Sequence, residues 1–192
     1  MRLYGLTGGV GMGKSTSEKL LRERGVAVVD TDAIAREIVE PGQTALTEIC
    51  AAFGPDIVSP EGTLRRDALA RRVFRDSTAR RTLEGILHPR IRNIWQKRVQ
   101  EWRAQNVPRA AVVIPLLFET GAGGQFDRII CVACTADSQR QRLQARGWES
   151  EQIEQRIAAQ WPVEKKMDLA HYVIWTEATL DVHAAQLDRI IS

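Results

Sequence analysis

The sequence predicts an α/β fold built on a mostly parallel sheet, and three observations lead there. Short apolar runs recur along the 192 residues with helical segments between them. Those runs do not alternate strictly between apolar and polar residues, which suits strands covered by helices on both faces. The first run tips directly into a glycine-rich turn and then a helix, the order in which a strand–loop–helix unit presents a phosphate site.

The first strand spans residues 3–7 and leads into Gly8, Gly9, Gly11 and Gly13, ahead of Lys14, Ser15 and Thr16. Glycine loses more backbone freedom on folding than any other residue, so such a run implies a conformation or a close approach that side chains forbid. Gly8, Gly13, Lys14 and Ser15 match G-x-x-x-x-G-K-[ST], the phosphate-binding loop. Backbone N–H groups from Gly8 through Gly9, Gly11, Met12 and Gly13 would curl round a phosphate, helped by the positive end of the following helix. Lys14 would reach the terminal phosphates of ATP, and the Ser15 hydroxyl, next to Thr16, would help hold Mg2+. The helix follows over 16–24, with Leu20 and Leu21 for the core and Gly25 as its terminator.

A second strand, 26–29, delivers Asp30 and Asp32 to the carboxyl edge of the sheet, where open α/β sheets bind ligands. Two carboxylates beside a polyphosphate repel it unless one takes a proton from an attacking hydroxyl or orders magnesium and its waters. A helix cap with a surface ion pair is the plainer alternative, because Arg36 lies four residues beyond Asp32.

Beyond this point the pattern changes. Leu46, Ile49, Cys50 and Phe53 recur at helical spacing, and Gly54, Pro55, Pro60 and Gly62 punctuate a turn region. Helices are expected over 66–75 and 77–87, and Pro89 is expected to open a new long helix bearing Ile91, Ile94, Trp95, Val99 and Trp102. Residues 36–90 thus form a helical insertion of a size that suits a cover over a substrate. Strands resume at 110–114, 129–133 and 172–175, and Leu180, Ala184, Leu187 and Ile191 mark one face of a final helix.

Composition narrows the function classes. Lys and Arg number 27 against 24 Asp and Glu, a formal charge of +3 that does not call for a nucleic-acid partner and accords with a local site for phosphates. Cys50, Cys131 and Cys134 make no disulfide framework, and the last two read as buried thiols on or after a strand. No apolar run is long enough to cross a membrane, and the first strand starts almost at Met1, so no membrane partner and a cytoplasmic location are expected.

With these residues in view, the chain resembles the dephospho-coenzyme A kinase family over nearly its whole length. The resemblance rests on "LTGGVGMGKST", "VVDTDAIAREIVEPG", "EGTLRRDALARRVF", "LHPRI", "IPLLFE" and the segment 139–160, in that order. It implies a P-loop kinase-like three-layer sandwich with a mostly parallel sheet, a helical acceptor-binding insertion and a lid. The implied division is a nucleotide-binding core at 1–35 with 91–136 and 161–192, an acceptor-binding region at 36–90 and a lid at 137–160. The implied reaction moves the γ-phosphoryl of ATP to the 3′-hydroxyl of dephospho-coenzyme A, with Mg2+. The family's base falls on Asp32, Asp30 would act on magnesium through water, and Arg36, His88, Leu116 and Leu117 would meet the acceptor. Glu119 would support them from behind. Arg142 and Arg146 would close over ATP, ahead of Arg156 and Gln160. Where the family usually has an aspartate and an asparagine around the last strand, this chain has His171 and Thr176. A related kinase acting on a nucleoside or nucleoside monophosphate shares the loop and lid and stays open as an alternative. A nucleotide switch fits less well, because guanine-recognising N-K-x-D is absent.

Overall fold

A computed structural model describes residues 1–192, the side chains of residues 74 and 75 excepted. In chain order the elements are β1 (Arg2–Gly8), α1 (Lys14–Glu23), β2 (Ala27–Asp30), α2 (Thr31–Glu37), α3 (Thr44–Phe53), α4 (Arg66–Arg75) and α5 (Ser77–Ala104). They continue with β3 (Arg109–Val113), β4 (Arg128–Ala133), α6 (Ala136–Gln144), α7 (Ser150–Ala158), α8 (Val163–Leu169), β5 (Tyr172–Trp175) and α9 (Leu180–Ile191). The strands form one sheet in the order β2-β3-β1-β4-β5, with every neighbouring pair parallel. The chain leaves β1 toward one side of the sheet and returns from β3 to the other. The turn after β1 therefore lies at the reversal of strand order, where open sheets bind ligands.

The chain divides by packing into two units, Met1–Asp30 with Gln100–Ser192 and Thr31–Val99. The first holds the sheet. Alternate residues of the strands, among them Tyr4, Leu6, Val113, Ile130 and Ile174, share a buried cluster with Leu20 and Leu21 of α1 and Leu187 and Ile191 of α9. The intervening residues Leu3, Thr7, Val112, Ile129 and Cys131 are buried as well, on the opposite face, and α8 packs against β1 and β4. Burial on both faces is why β1, β3 and β4 read as continuous apolar runs, whereas at the edge β5 only Ile174 is buried. Cys131 and Cys134 are buried free thiols, and desolvation pushes Cys131 up to about 11, so neither is a nucleophile.

The second unit is helical. Leu46, Ile49 and Phe53 of α3 are buried, as is Ile57 in the short 3-10 turn Pro55–Ile57 that follows. Arg72 of α4 bonds the Phe53 carbonyl and Asp56, and Arg90 of α5 pairs with Glu48 of α3. One expectation is corrected here. Pro89 does not open a new helix; it lies inside α5, which runs unbroken from Ser77 to Ala104. A proline removes the donor to the carbonyl four residues earlier and its ring crowds that position. That carbonyl belongs to Gly85, which is exposed, so solvent can take the bond the helix loses, and the Arg90 guanidinium takes the Ile86 carbonyl at 2.7 Å. Among the described residues no helix is long and apolar enough to cross a membrane.

Candidate active site

Parallel pairing brings the carboxyl ends of the strands to one edge of the first unit, where β1 empties into the glycine loop. Gly8 has φ 142°, and a Cβ there would lie 2.2 Å from the Val132 carbonyl oxygen, so only glycine lets β1 approach β4 this closely. Gly13 has φ 101° and immediately precedes α1. The first turn of α1 carries no acidic residue to offset its positive end, which leaves it suited to an anion. Lys14 Nζ donates to the carbonyls of Gly8 and Gly9, both at 2.9 Å, so the lysine folds back over its own loop. Ser15 is exposed and Thr16 half-buried in the first turn of α1, while Met12 is buried.

Behind the loop stand residues whose part the sequence did not disclose. The Thr176 hydroxyl lies 3.0 Å from the Met12 carbonyl and accepts from the Arg142 guanidinium at 2.8 Å. Arg142 also donates to the Thr176 carbonyl. The chain's departure at 176 is therefore compatible with an ordered loop: threonine ties Arg142 of α6 to Met12. At the other departure, His171 Nδ1 accepts the Ile129 N–H at 3.0 Å, the service a carboxylate would render there. Glu177 anchors the start of α6 by accepting from the Thr135 N–H and hydroxyl. Hydrogen bonds from Ser138 and then Thr135 hold its carboxyl down at about 2.

Beyond β3, Lys166 is fully buried, donates to the Pro115 carbonyl at 2.8 Å and lies 2.7 Å from Glu119 Oε1. The Trp161 N–H donates to the same Glu119 oxygen at 2.9 Å, and Thr7 reaches the Pro115 carbonyl at 3.2 Å. Ser17 Oγ meets His183 Nε2 at 2.8 Å, and burial, followed by the Arg142 charge, lowers the His183 pKa.

The expected site residues divide between the units. The first unit contains the loop from Gly8 to Thr16, Asp30 at the end of β2, Leu116, Leu117, Arg142 and Arg146, with Arg142 linked to the loop through Thr176 and Met12. Leu117, expected to meet the acceptor, is fully buried, and a Cβ on Gly5 would lie 2.7 Å from its Cδ1, so its side chain packs the core. Leu116 is half-buried and Arg146 exposed. The second unit carries Asp32 in the first turn of α2, Arg36 in its last turn and His88 within α5, all three exposed. Arg66 donates to the Arg36 carbonyl at 3.4 Å. Among the described residues no cluster of three or more His, Cys, Asp or Glu could hold a metal ion. The donors present, Ser15 and Asp30, fit an ion held chiefly by phosphate oxygens and water.

A parallel sheet of this order, with a glycine loop and lysine at the reversal point, defines a P-loop phosphotransferase of the small-molecule kinase type. The family model for dephospho-CoA kinase matches residues 2–181, and the chain belongs to that family. Dephospho-CoA kinase from Anaeromyxobacter dehalogenans is 42% identical, covering 100% of this chain and 92% of its own length. The Moorella thermoacetica enzyme is 44% identical over 97% of this chain and 89% of its own. Among solved structures, a Thermus thermophilus protein superimposes with a TM-score of 0.86 at 33% identity, covering 99% of this chain and 96% of that one. Dephospho-CoA kinase from Campylobacter jejuni gives 0.72 at 25% identity over 100% and 96%.

Proposed function

We propose that this chain transfers the γ-phosphoryl group of ATP to the 3′-hydroxyl of dephospho-coenzyme A, yielding coenzyme A and ADP. The observation that carries the reading is the loop in a chain of this family: Lys14 folded over the Gly8 and Gly9 carbonyls, ahead of a helix start with no carboxylate. Phosphoryl transfer passes through a loose transition state with charge spread over the moving group, so fixed cations and aligned N–H groups do most of the work. Lys14 supplies the cation at the loop, and Arg142 with Arg146 supplies guanidinium charge from a lid over 137–160. Residues 36–90 receive the acceptor, with Arg36, His88 and Leu116 in contact with it. Asp32 accepts the proton of the attacking hydroxyl as charge moves. Mg2+ would be held by Ser15 and, through water, by Asp30, and would neutralise charge on the phosphates when bound. The chain works in the cytoplasm, on small molecules.

The test is an acceptor panel with ATP and Mg2+: dephospho-coenzyme A, adenosine and adenosine monophosphate, with the product's phosphate position read by phosphorus NMR. Turnover of dephospho-coenzyme A at its 3′-hydroxyl, at least about tenfold above the others, is expected. Faster turnover of either nucleoside compound would overturn the assignment.

A further inference from the structure

Between the second and third glycines of the loop stands Val10, and both of its backbone polar groups are held by side chains from distant parts of the chain. Its N–H donates to Gln160 Oε1 at 2.9 Å, and its carbonyl accepts from Gln139 Nε2 at 2.7 Å. Gln139 belongs to α6 and is buried; Gln160 follows α7. The two glutamines therefore sit near the two ends of the segment 137–160 and meet at one residue of the phosphate loop.

Peptide planarity gives this grip a consequence. A trans peptide points its N–H and C=O in opposite directions. When Gln160 draws the Val10 N–H one way, the Gly9 carbonyl of the same peptide is turned the other way. That carbonyl is the one to which Lys14 donates at 2.9 Å. When Gln139 draws the Val10 carbonyl toward α6, the Gly11 N–H of that peptide is turned away from α6. Within the loop the Gly9 carbonyl also accepts the Met12 N–H at 3.3 Å, but four glycines leave the backbone much freedom, and the two glutamines are the side chains from outside the loop that bond Val10.

We infer that Gln139 and Gln160 are positioning residues for the phosphoryl donor: together they set the Gly9–Val10 and Val10–Gly11 peptides, and through them the seat of Lys14 and the aim of the Gly11 N–H. Neither side chain needs to touch nucleotide to do this. Because they flank the segment 137–160, its two ends and the phosphate loop move as one piece while the part between them is left to close. The inference rests on the ATP-dependent reading above and deepens it on the donor side.

The test reads donor binding apart from turnover. Gln139→Ala and Gln160→Ala are each expected to weaken ADP binding, measured by calorimetry, about fivefold or more. The KM for ATP should rise in step, with the KM for dephospho-coenzyme A within twofold of the parent. A role in stability alone would lower the melting temperature and leave ADP affinity and the ratio of the two KM values unchanged, which would overturn the inference. Two volume-conserving variants decide the matter if an alanine variant fails to fold. Gln160 is an acceptor here and Gln139 a donor, so Gln160→Glu keeps its bond to Val10 while Gln139→Glu sets a carboxylate against a carbonyl. Both add the same charge. Weaker ADP binding by Gln139→Glu, at least about threefold below Gln160→Glu, supports the inference, and equal affinities overturn it. Absence of turnover in the parent would sink the functional reading instead, and ADP affinity would still report on the loop.

Discussion

Lys14 lies over its own loop, bonded to the Gly8 and Gly9 carbonyls, and its removal has a definite expected cost. A cation fixed at the loop acts on charge that is greatest in the transition state, so Lys14→Ala should lose several kcal/mol of stabilisation, roughly a hundredfold or more in rate. Steady-state turnover within threefold of the parent, in a folded variant, would contradict this. Lys14 and Gly8 were legible because their motif is local, eight residues from first glycine to serine. Thr176, Glu119 and Lys166 were not legible in their actual parts. Thr176 meets Met12 across 164 positions, and Lys166 reaches Pro115 across 51, pairings that no local pattern announces. His183 is a further case, a polar residue on the buried side of α9 whose partner, Ser17, lies in α1. Burial lowers its pKa from 6.5, so the folded protein binds this proton less readily than the unfolded chain. The sign follows: its contribution to stability is intact above about pH 6.5 and is lost as the pH falls toward the lower folded value. Urea unfolding of the parent and of His183→Gln between pH 8 and pH 5 should show a shallower acid-side decline in the variant, and identical slopes would refute the assignment.

At the scale of elements, the strands were legible because each is a short apolar run, buried on both faces in β1, β3 and β4, and their ends moved by only a residue or two. The helices were less so, for reasons that particular residues explain. Pro89 is a sound stop signal by itself, yet α5 runs through it, and the Gly85 carbonyl it leaves without a helical donor lies on an exposed residue where solvent can satisfy it. Pro89→Ala should restore the helical donor to the Gly85 carbonyl. It should stabilise the protein by about 1–3 kcal/mol, reduced by the freedom regained in the unfolded chain. Denaturant unfolding would measure it, and a loss of stability would show that Pro89 is doing something other than interrupting α5. The segment from α6 through α7 behaves differently. Each of these helices has nine residues, and their buried side chains are Gln139 and Leu143 in one and Ile153 in the other. The Arg140–Glu154 pair between them is largely exposed, and such pairs contribute little. Gln139 and Arg142 tie the start of α6 to Val10 and Thr176, but the stretch beyond them is lightly held and should open readily and gain protection when nucleotide binds. Hydrogen exchange with and without a non-hydrolysable ATP analogue should show added protection within 140–158, and equal exchange in both states would argue against a lid.

Across the whole molecule, charge is distributed unevenly between the two units. Thr31–Val99 contains 12 of the 27 Lys and Arg and 9 of the 24 Asp and Glu, so the net charge of +3 resides there and the first unit is formally neutral. A first unit neutral in sum, with Lys14 as the one cation inside its glycine loop, and a basic second unit suit two anionic substrates received separately. The two aspartates after β2 fall on either side of this division: Asp30 ends the strand in the first unit, and Asp32 opens a helix in the second. If the first unit serves the donor and the second the acceptor, substitutions at the two positions should fail in different ways. Asp32→Asn should bind ADP as the parent does, because the phosphate loop is untouched, yet lose turnover by about a hundredfold or more, within the span of acid–base catalysis. Asp30→Asn should act through the ion, so part of its lost rate should return as Mg2+ is raised. Calorimetry with ADP, alongside kinetics of both variants over a magnesium titration, separates these outcomes. If Asp32→Asn turns over normally and Asp30→Asn is dead at saturating magnesium, the two carboxylates have exchanged roles and the base belongs to the first unit.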